Sequence, residues 1–423
     1  MPTVTVAFES FTDFVRQQIK TFTDNSQWFE NKAPMYTAFR KAVDTYPLDA
    51  KGYRIPAITG RPGGHTGYLP SASSFNPAIG AESNSMYVFP TYYALPMVFQ
   101  GAMIRALRKA PEKLMDFSNV LTAYMESATK RMEYLISGDG TGALAFSSSN
   151  LSAGAAQTMN CTTTAAATPG QTKGSRRLEH RHSYQAINAS TGAIRGEILV
   201  VTEGTTSCVV NVVWGSVSSG DPIVDPNSYN RMIRGLGHLV SRTSRILQGV
   251  NTANFLDLNS PEVDLNGTLA TPVDFDTAKQ YLQTRSNDES AENKLLAFMT
   301  FGFYGTLKAQ GWNSIVQTAE TTVGVAKKFT DGDTIFIRSS DMDDDRAYLV
   351  NPEGIKMFEE MPLGPLDLDG QEFRMLFGNN GTGSDDWQRA LAFGGNLGIV
   401  APKSAALIKR ALITGQVTQV NSF

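Results

Sequence analysis

Charge is what this chain of 423 residues has least of: Asp, Glu, Lys and Arg make up 18% of it, against about 25% in an ordinary soluble domain. A surface so thinly charged is poorly protected against association. It suits a subunit whose surface is largely covered by other subunits; the alternative is a β-rich extracellular protein. The balance is also muted, with 37 basic against 40 acidic residues and a net charge of −3. That gives no general pull toward nucleic acid or anionic lipid. Cysteine is nearly absent. Cys161 and Cys208 are too few for a disulfide framework, lie at no metal-ligand spacing, and read as reduced thiols in a reducing compartment. Long apolar runs are missing too, which excludes a helical bilayer span. The opening MPTVTVAFESFTDF has no basic n-region, so no signal peptide is expected. No internal repeat occurs.

What the chain does have is sharply local. Residues 7–20 place Phe8, Phe11, Phe14, Val15 and Ile19 at helical spacing, and a second helical piece is expected around Met35–Val43. Residues 51–101 carry prolines at 56, 62, 70, 77, 90 and 96 among many glycines. Two strand-like runs, Tyr53–Thr59 and Met86–Phe99, bracket that turn-rich middle. The segment reads as a long two-stranded ribbon, which is marginal alone in water and must lie on something else. From Glu112 to Ser137 comes the strongest helix. Leu114, Phe117, Leu121, Tyr124, Ala128 and Leu135 form its stripe, widened by Met125, Met132 and Ile136.

Beyond it, residues 143–175 read as a long loop. Strands are expected at Ser183–Asn188, Arg195–Thr202 and Ser207–Trp214, closed by residues 221–224 into a small β-subdomain. A helix and loop are expected over Asn227–Asn251 and a helix over Phe275–Arg285. Then come a buried strand at Leu295–Thr300 and a short helix at Gly302–Gly311. Strands follow at Thr334–Arg338, Ala347–Val350, Phe373–Phe377 and Leu391–Val400, with a last helix at Pro402–Leu412.

Candidate chemistry is thin. The stretch SGDGTG, Ser137–Gly142, looks like a phosphate cradle but follows a helix instead of preceding one. That end of a helix repels anions. It fits a helix stop, with Gly138 at φ > 0 and Asp139-Gly140 forming a tight turn. His180 and His182 would share a strand face, where a metal site competes with an exposed polar edge. Asp341, Asp343, Asp344 and Asp345 miss the calcium-loop spacing. They read as a solvated acidic loop, with a weak divalent-cation site as the alternative. Two basic groups stand out: Lys173, Arg176, Arg177 and Arg181, and then Arg231, Arg234, Arg242 and Arg245 at helical offsets. Phosphate binding and ion pairing between subunits compete for both. No nucleophile–base arrangement stands out.

The order of elements is the informative feature: an arm, a Gly/Pro-rich ribbon, then one long helix ending RMEYLISGDGTGALA. A β-rich stretch follows, then IRGLGHLVSRTSRILQGVNTANFLDLN and finally NLGIVAPKSAALI. Over essentially the whole chain this resembles the major capsid proteins of tailed bacteriophages with the HK97-type fold. The resemblance implies an α+β fold with an N-terminal arm at 1–50 and an extended E-loop at 51–101. The spine helix and part of the P-domain would fall at 102–145 and a β-rich insertion at 146–226. The A-domain would fall at 227–330, and the returning P-domain strands with a last part of the A-domain at 331–423. It implies a non-enzymatic shell subunit without cofactor or metal, forming hexamers and pentamers of an icosahedral virion around double-stranded DNA, which it contacts non-specifically. A separate scaffolding protein and a portal protein are implied partners, with a cement or decoration protein left open, assembly in the bacterial host cytoplasm and no membrane. Arg54, Arg61, Tyr87, Tyr92 and Tyr93 would lie between subunits, and Gly138 and Gly140 would stop the spine helix. Some members of the family cross-link through an E-loop lysine; here no lysine stands between Lys51 and Lys109, so no cross-link is expected. With about fifty residues ahead of the ribbon, little N-terminal processing is expected. The alternatives are an encapsulin-like nanocompartment shell and, more remotely, a metal-dependent hydrolase built on His180, His182 and Asp341–Asp345.

Overall fold

The computed structural model describes residues 32–42, 46–47, 52–60, 82–99, 114–162, 174–204, 206–243, 245–253, 258–286, 295–310, 321–323, 326–331, 334–366, 374–377, 383–401 and 404–412. The helix expected at 7–20 lies outside them, as do Arg61, Lys173 and the tip of the ribbon. Helix α1, Pro34–Ala42, buries Met35, Tyr36, Ala38 and Phe39; the Phe39 ring stacks on Phe298 at 5.2 Å. After the short β1 (Tyr46–Pro47) comes the expected ribbon. Its strands β2 (Tyr53–Gly60) and β3 (Glu82–Val88) run antiparallel, Tyr53 opposite Val88 and Gly60 opposite Glu82, in a two-stranded sheet of their own. The run expected at Met86–Phe99 breaks at Phe89-Pro90. Its second half, β4 (Thr91–Phe99), belongs to a different sheet. The break follows from Pro90, which fixes φ and offers no N–H to a ladder.

Helix α2, Leu114–Ser137, is roughly 36 Å long. Its stripe of Leu121, Met125, Ala128, Met132, Leu135 and Ile136 is buried. It ends immediately before Gly138, as expected, but by different geometry. Gly138 is not in the left-handed region; Gly140 (φ +86) and Gly142 (φ +76) are. The Gly138 N–H bonds back to the Leu135 carbonyl at 3.2 Å, tightening the last turn instead of reversing it. Asp139 then makes the turn, its carboxylate accepting from the Thr141 N–H at 2.9 Å and hydroxyl at 2.6 Å.

The expected loop at 143–175 is instead largely strand. β5 (Ala143–Ser147) and β6 (Leu151–Thr162) join β7 (Ser183–Ile187), β8 (Ile194–Thr202), β9 (Ser207–Val217) and β10 (Pro222–Val224) in a closed six-stranded barrel, ordered β10-β5-β6-β9-β8-β7. The first half of β6 is almost wholly exposed, so its Ser, Ala and Gly show no apolar alternation. Leu144, Met159, Tyr184, Ile198, Val210 and Ile223 fill the interior.

Only four residues of the helix expected near Asn227–Asn251 form, as α3 (Leu236–Leu239), followed by the small pair β11 (Ile246–Leu247) and β12 (Val250–Asn251). Next come β13 (Glu262–Asp264), α4 (Pro272–Ser286), β14 (Leu296–Met299) and α5 (Phe301–Ala309). The remaining strands are β15 (Thr321–Val323), β16 (Ala326–Asp331), β17 (Thr334–Arg338), β18 (Ala347–Val350), β19 (Ile355–Pro365), β20 (Arg374–Phe377), β21 (Gly383–Ile399) and β22 (Ala405–Lys409). A seven-stranded mixed sheet runs β13-β22-β18-β14-β17-β16-β15. One face packs Ala297, Met299, Leu349 and Ile408 against Phe275 of α4 and Phe303 of α5. The other packs Leu296, Phe298, Tyr348 and Leu407 into the core shared with α1 and α2. Burial on both faces gives unbroken apolar runs. That is why Pro402–Leu412, expected as a helix, holds strand β22: AALIK is apolar at every position but its last, and period cannot separate helix from strand there. The other sheet runs β1-β19-β21-β20, with β4 pairing the free side of β21. Among the described residues no helix is long and apolar enough to cross a membrane.

Candidate subunit interface

Where the ribbon meets the body, side chains divide by period two. Ile55, Met86, Val88, Tyr93 and Met97 point into the core. Tyr87 (39% exposed), Phe89 (55%) and Tyr92 (56%) point out. The Tyr87 and Phe89 rings lie nearly parallel, 6.1 Å apart. Arg54 sits opposite Tyr87 across the ribbon, its Nε donating to the Ser85 hydroxyl at 2.7 Å. The Tyr92 hydroxyl donates to the Glu360 carboxylate, and that bond raises its phenol above the ordinary range. Two glycines let the rings lie close to backbone: a Cβ on Gly394 would sit 3.1 Å from the Tyr92 ring, and one on Gly52 (φ +82) 3.0 Å from the Phe89 ring. Exposed aromatics already braced in place lose little freedom on docking, and aromatics are enriched at protein interfaces.

Of the candidate contact residues, Arg54 and Tyr87 lie side by side and Tyr92 is exposed at the start of β4. Tyr93 is corrected: it is 6% exposed and packed inside the subunit, where burial pushes its phenol well up. The alternation of β4 makes this inevitable, since neighbouring residues cannot both face outward. Phe89 was missed; its signal is its place beside Pro90, where the chain changes sheet.

A cleft of about 800 Å³ lies between β4, α2 and the barrel rim, lined among others by Leu95, Pro96, Val120, Tyr124 and His182. Its charges are spent on one another. Arg131 lies 3.3 Å from Asp225; the Ser127 hydroxyl donates to Glu179 at 3.0 Å; His182 is 3.6 Å from Glu179. Burial works against the Arg131 charge, but Asp225, Tyr184, Tyr93 and Glu179 together outweigh it and the guanidinium stays firmly protonated.

The acidic cluster is a joint and not a solvated loop. Arg177 lies 2.6 Å from Asp343 and 4.0 Å above the Tyr134 ring. Arg176 lies 3.4 Å from Asp344, and Arg346 is 3.7 Å from both Asp343 and Asp345. Burial alone would raise the Asp343 carboxyl, yet Arg177 and Arg346 bring it below the ordinary carboxylate range. The joint ties the barrel's entrance to the segment between β17 and β18. His180 and His182 flank a turn rather than sharing a strand, and among the described residues no group of three or more His, Cys, Asp and Glu is arranged to hold a metal. Arg231, Arg234, Arg242 and Arg245 share no helix. Arg245 instead donates to the carbonyls of Leu239, Ser241 and Thr243, bracing its own loop.

No protein-family model matches the chain, and no curated protein matches it. Solved structures do. The chain is similar to the capsid asymmetric unit of cyanophage A-1(L) with a TM-score of 0.53, at 8% identity over 90% of this chain and 93% of that one. The capsid of a native GTA particle aligns with a TM-score of 0.45, at 10% identity over 88% of this chain and 90% of that one. An encapsulin complex from Synechococcus elongatus aligns at 0.41, at 10% identity over 88% of this chain and 86% of that one. The chain thus has the fold of a phage capsid subunit.

Proposed function

We propose that this chain is the major capsid protein of a tailed phage, assembling as hexamers and pentamers into an icosahedral shell around double-stranded DNA. The observation that carries the reading is the fold shared with the cyanophage capsid subunit along nine-tenths of both chains. In this reading the ribbon reaches over a neighbouring subunit, and Arg54, Tyr87, Phe89 and Tyr92 contribute to that contact. Helix α2 is the spine, the seven-stranded sheet and the sheet of β19–β21 form the body, and the barrel stands out from it. A separate scaffolding protein guides assembly in the host cytoplasm. A portal protein completes the virion, and DNA is held without sequence preference. No catalytic role is assigned to any residue. Closed symmetry repeats each contact around the shell, so modest interfaces add up to a durable particle.

The test is negative-stain electron microscopy of the full chain, expressed alone and with the scaffolding protein encoded beside it. Closed shells of uniform diameter are expected. A chain that stays monomeric at high concentration under both conditions overturns the reading. Shells from the native source that hold protein and no DNA would replace it with a nanocompartment.

A further inference from the structure

Between Asp225 and Glu262 the chain carries four arginines, Arg231, Arg234, Arg242 and Arg245, no lysine and one acid, Asp257. It is a basic island in a chain whose net charge is −3. Arg231 and Arg234 flank the turn that follows α2. The Asn230 N–H donates to the Thr141 carbonyl at 2.9 Å, and a Cβ on Gly140 would lie 3.0 Å from Arg234 Cγ. The Arg245 guanidinium holds the carbonyls of Leu239, Ser241 and Thr243, and so the turn that carries Arg242. Arg234 and Arg245 meet at His238, where burial, with their charges added, pushes the imidazole down to about 4. Asp139 is the carboxylate that opposes them there, and it is already engaged by the Thr141 N–H and hydroxyl.

Arg231, Arg234 and Arg242 are exposed. Their backbone N–H groups are bonded, to the Ser228 carbonyl, Asn396 and Glu262. Among the described residues their guanidinium groups pair with no carboxylate, whereas Arg131, Arg176, Arg177 and Arg346 all find one inside the subunit. Three uncompensated charges on one surface call for a counter-charge from outside. We propose, resting on the shell reading above, that Arg231, Arg234 and Arg242 form the surface by which this subunit holds the phosphate backbone of the enclosed double-stranded DNA. Ile246 is the one large apolar side chain exposed among the described residues of 226–253. The surface therefore lacks the apolar centre of a protein–protein contact and has the polar, positive character of a nucleic-acid one. A guanidinium fork meets two phosphate oxygens at once, and the duplex offers a charge about every 1.7 Å of its axis whatever its sequence. The face that bears these arginines looks into the shell.

The test is fluorescence anisotropy of a labelled random-sequence duplex of about 20 bp titrated with the unassembled full chain between about 50 and 200 mM salt. Log affinity is expected to fall against log salt with a slope of about −3, one unit for each arginine, and to be the same for AT-rich and GC-rich duplexes. The triple variant Arg231→Gln/Arg234→Gln/Arg242→Gln is expected to lose most of that slope and to bind at least about tenfold more weakly at the lowest salt. The corresponding triple lysine variant keeps the charge and is expected to keep the slope. A glutamine variant with the wild-type slope overturns the proposal. So does one that binds DNA as wild type does but no longer closes into shells, which would place the arginines between subunits. Should the glutamine triple not fold, Arg242→Gln alone is expected to lower the slope by about one, and an unchanged slope there is equally fatal. Shell closure by the wild-type chain is scored separately by electron microscopy, so the loss of this surface and the loss of the shell reading are told apart.

Discussion

A methyl group is too large for position 235. A Cβ there would stand 2.2 Å from the Ile136 carbonyl oxygen and 2.5 Å from that of Leu135, both part of the rigid end of α2. Gly235→Ala is expected to cost about 1–3 kcal/mol, seen as a lowered Tm in differential scanning calorimetry; an unchanged Tm would show that the helix end is soft. Asp343 poses the electrostatic counterpart. Asp343→Ala strands the Arg177 guanidinium, itself 6% exposed, and is expected to cost about 3 kcal/mol. Adding Arg177→Met should restore part of that loss, which a urea-denaturation double-mutant cycle would measure. At this scale the sequence speaks unevenly. Gly235 reads as a helix interruption, because the carbonyls that forbid a side chain lie a hundred positions earlier. The aspartates read as solvated, because the arginines that neutralise Asp343 and Asp344 sit some 165 positions upstream.

At the scale of elements, the exposed rings at the ribbon base are expected to act in assembly, while its inward side chains belong to the core. The double variant Phe89→Ala/Tyr92→Ala is expected to keep the far-UV circular dichroism of the subunit. It should weaken each subunit contact by about 1–2 kcal/mol, shifting sedimentation from particles to small oligomers. Particles of wild-type yield would remove these rings from the interface. The ribbon, α1, α2, α4 and three strands of the seven-stranded sheet, β14, β17 and β18, are legible in the sequence, because each carries a period, an apolar run or a turn signal of its own. Strand β6 is not: it turns Ser, Ala and Gly to solvent, so no alternation marks it. Nor is β22, whose burial on both faces erases the period that would distinguish it from a helix. Tyr93 fails as a contact residue for a local reason, since a strand that exposes Tyr92 must bury its neighbour.

For the whole molecule, the absence of lysine between Lys51 and Lys109 leaves the ribbon without an amine to join it covalently to a neighbour. Particles boiled in detergent are expected to give a single band at 45.9 kDa on a denaturing gel, and a ladder of multiples would contradict this. Cohesion would then rest on non-covalent contacts alone, repeated by symmetry. The barrel adds a mechanical consequence. Its first and last strands pair with each other, Ala143 facing Val224, so it hangs from the body by two adjacent threads. Arg176 and Arg177 fasten it to Asp344 and Asp343 like a pair of rivets. A force drawing the barrel away from the body would load those rivets together with the Arg131–Asp225 and Ser127–Glu179 contacts. Once these ties part, the barrel, closed on itself, is expected to swing on its two threads as an intact bead.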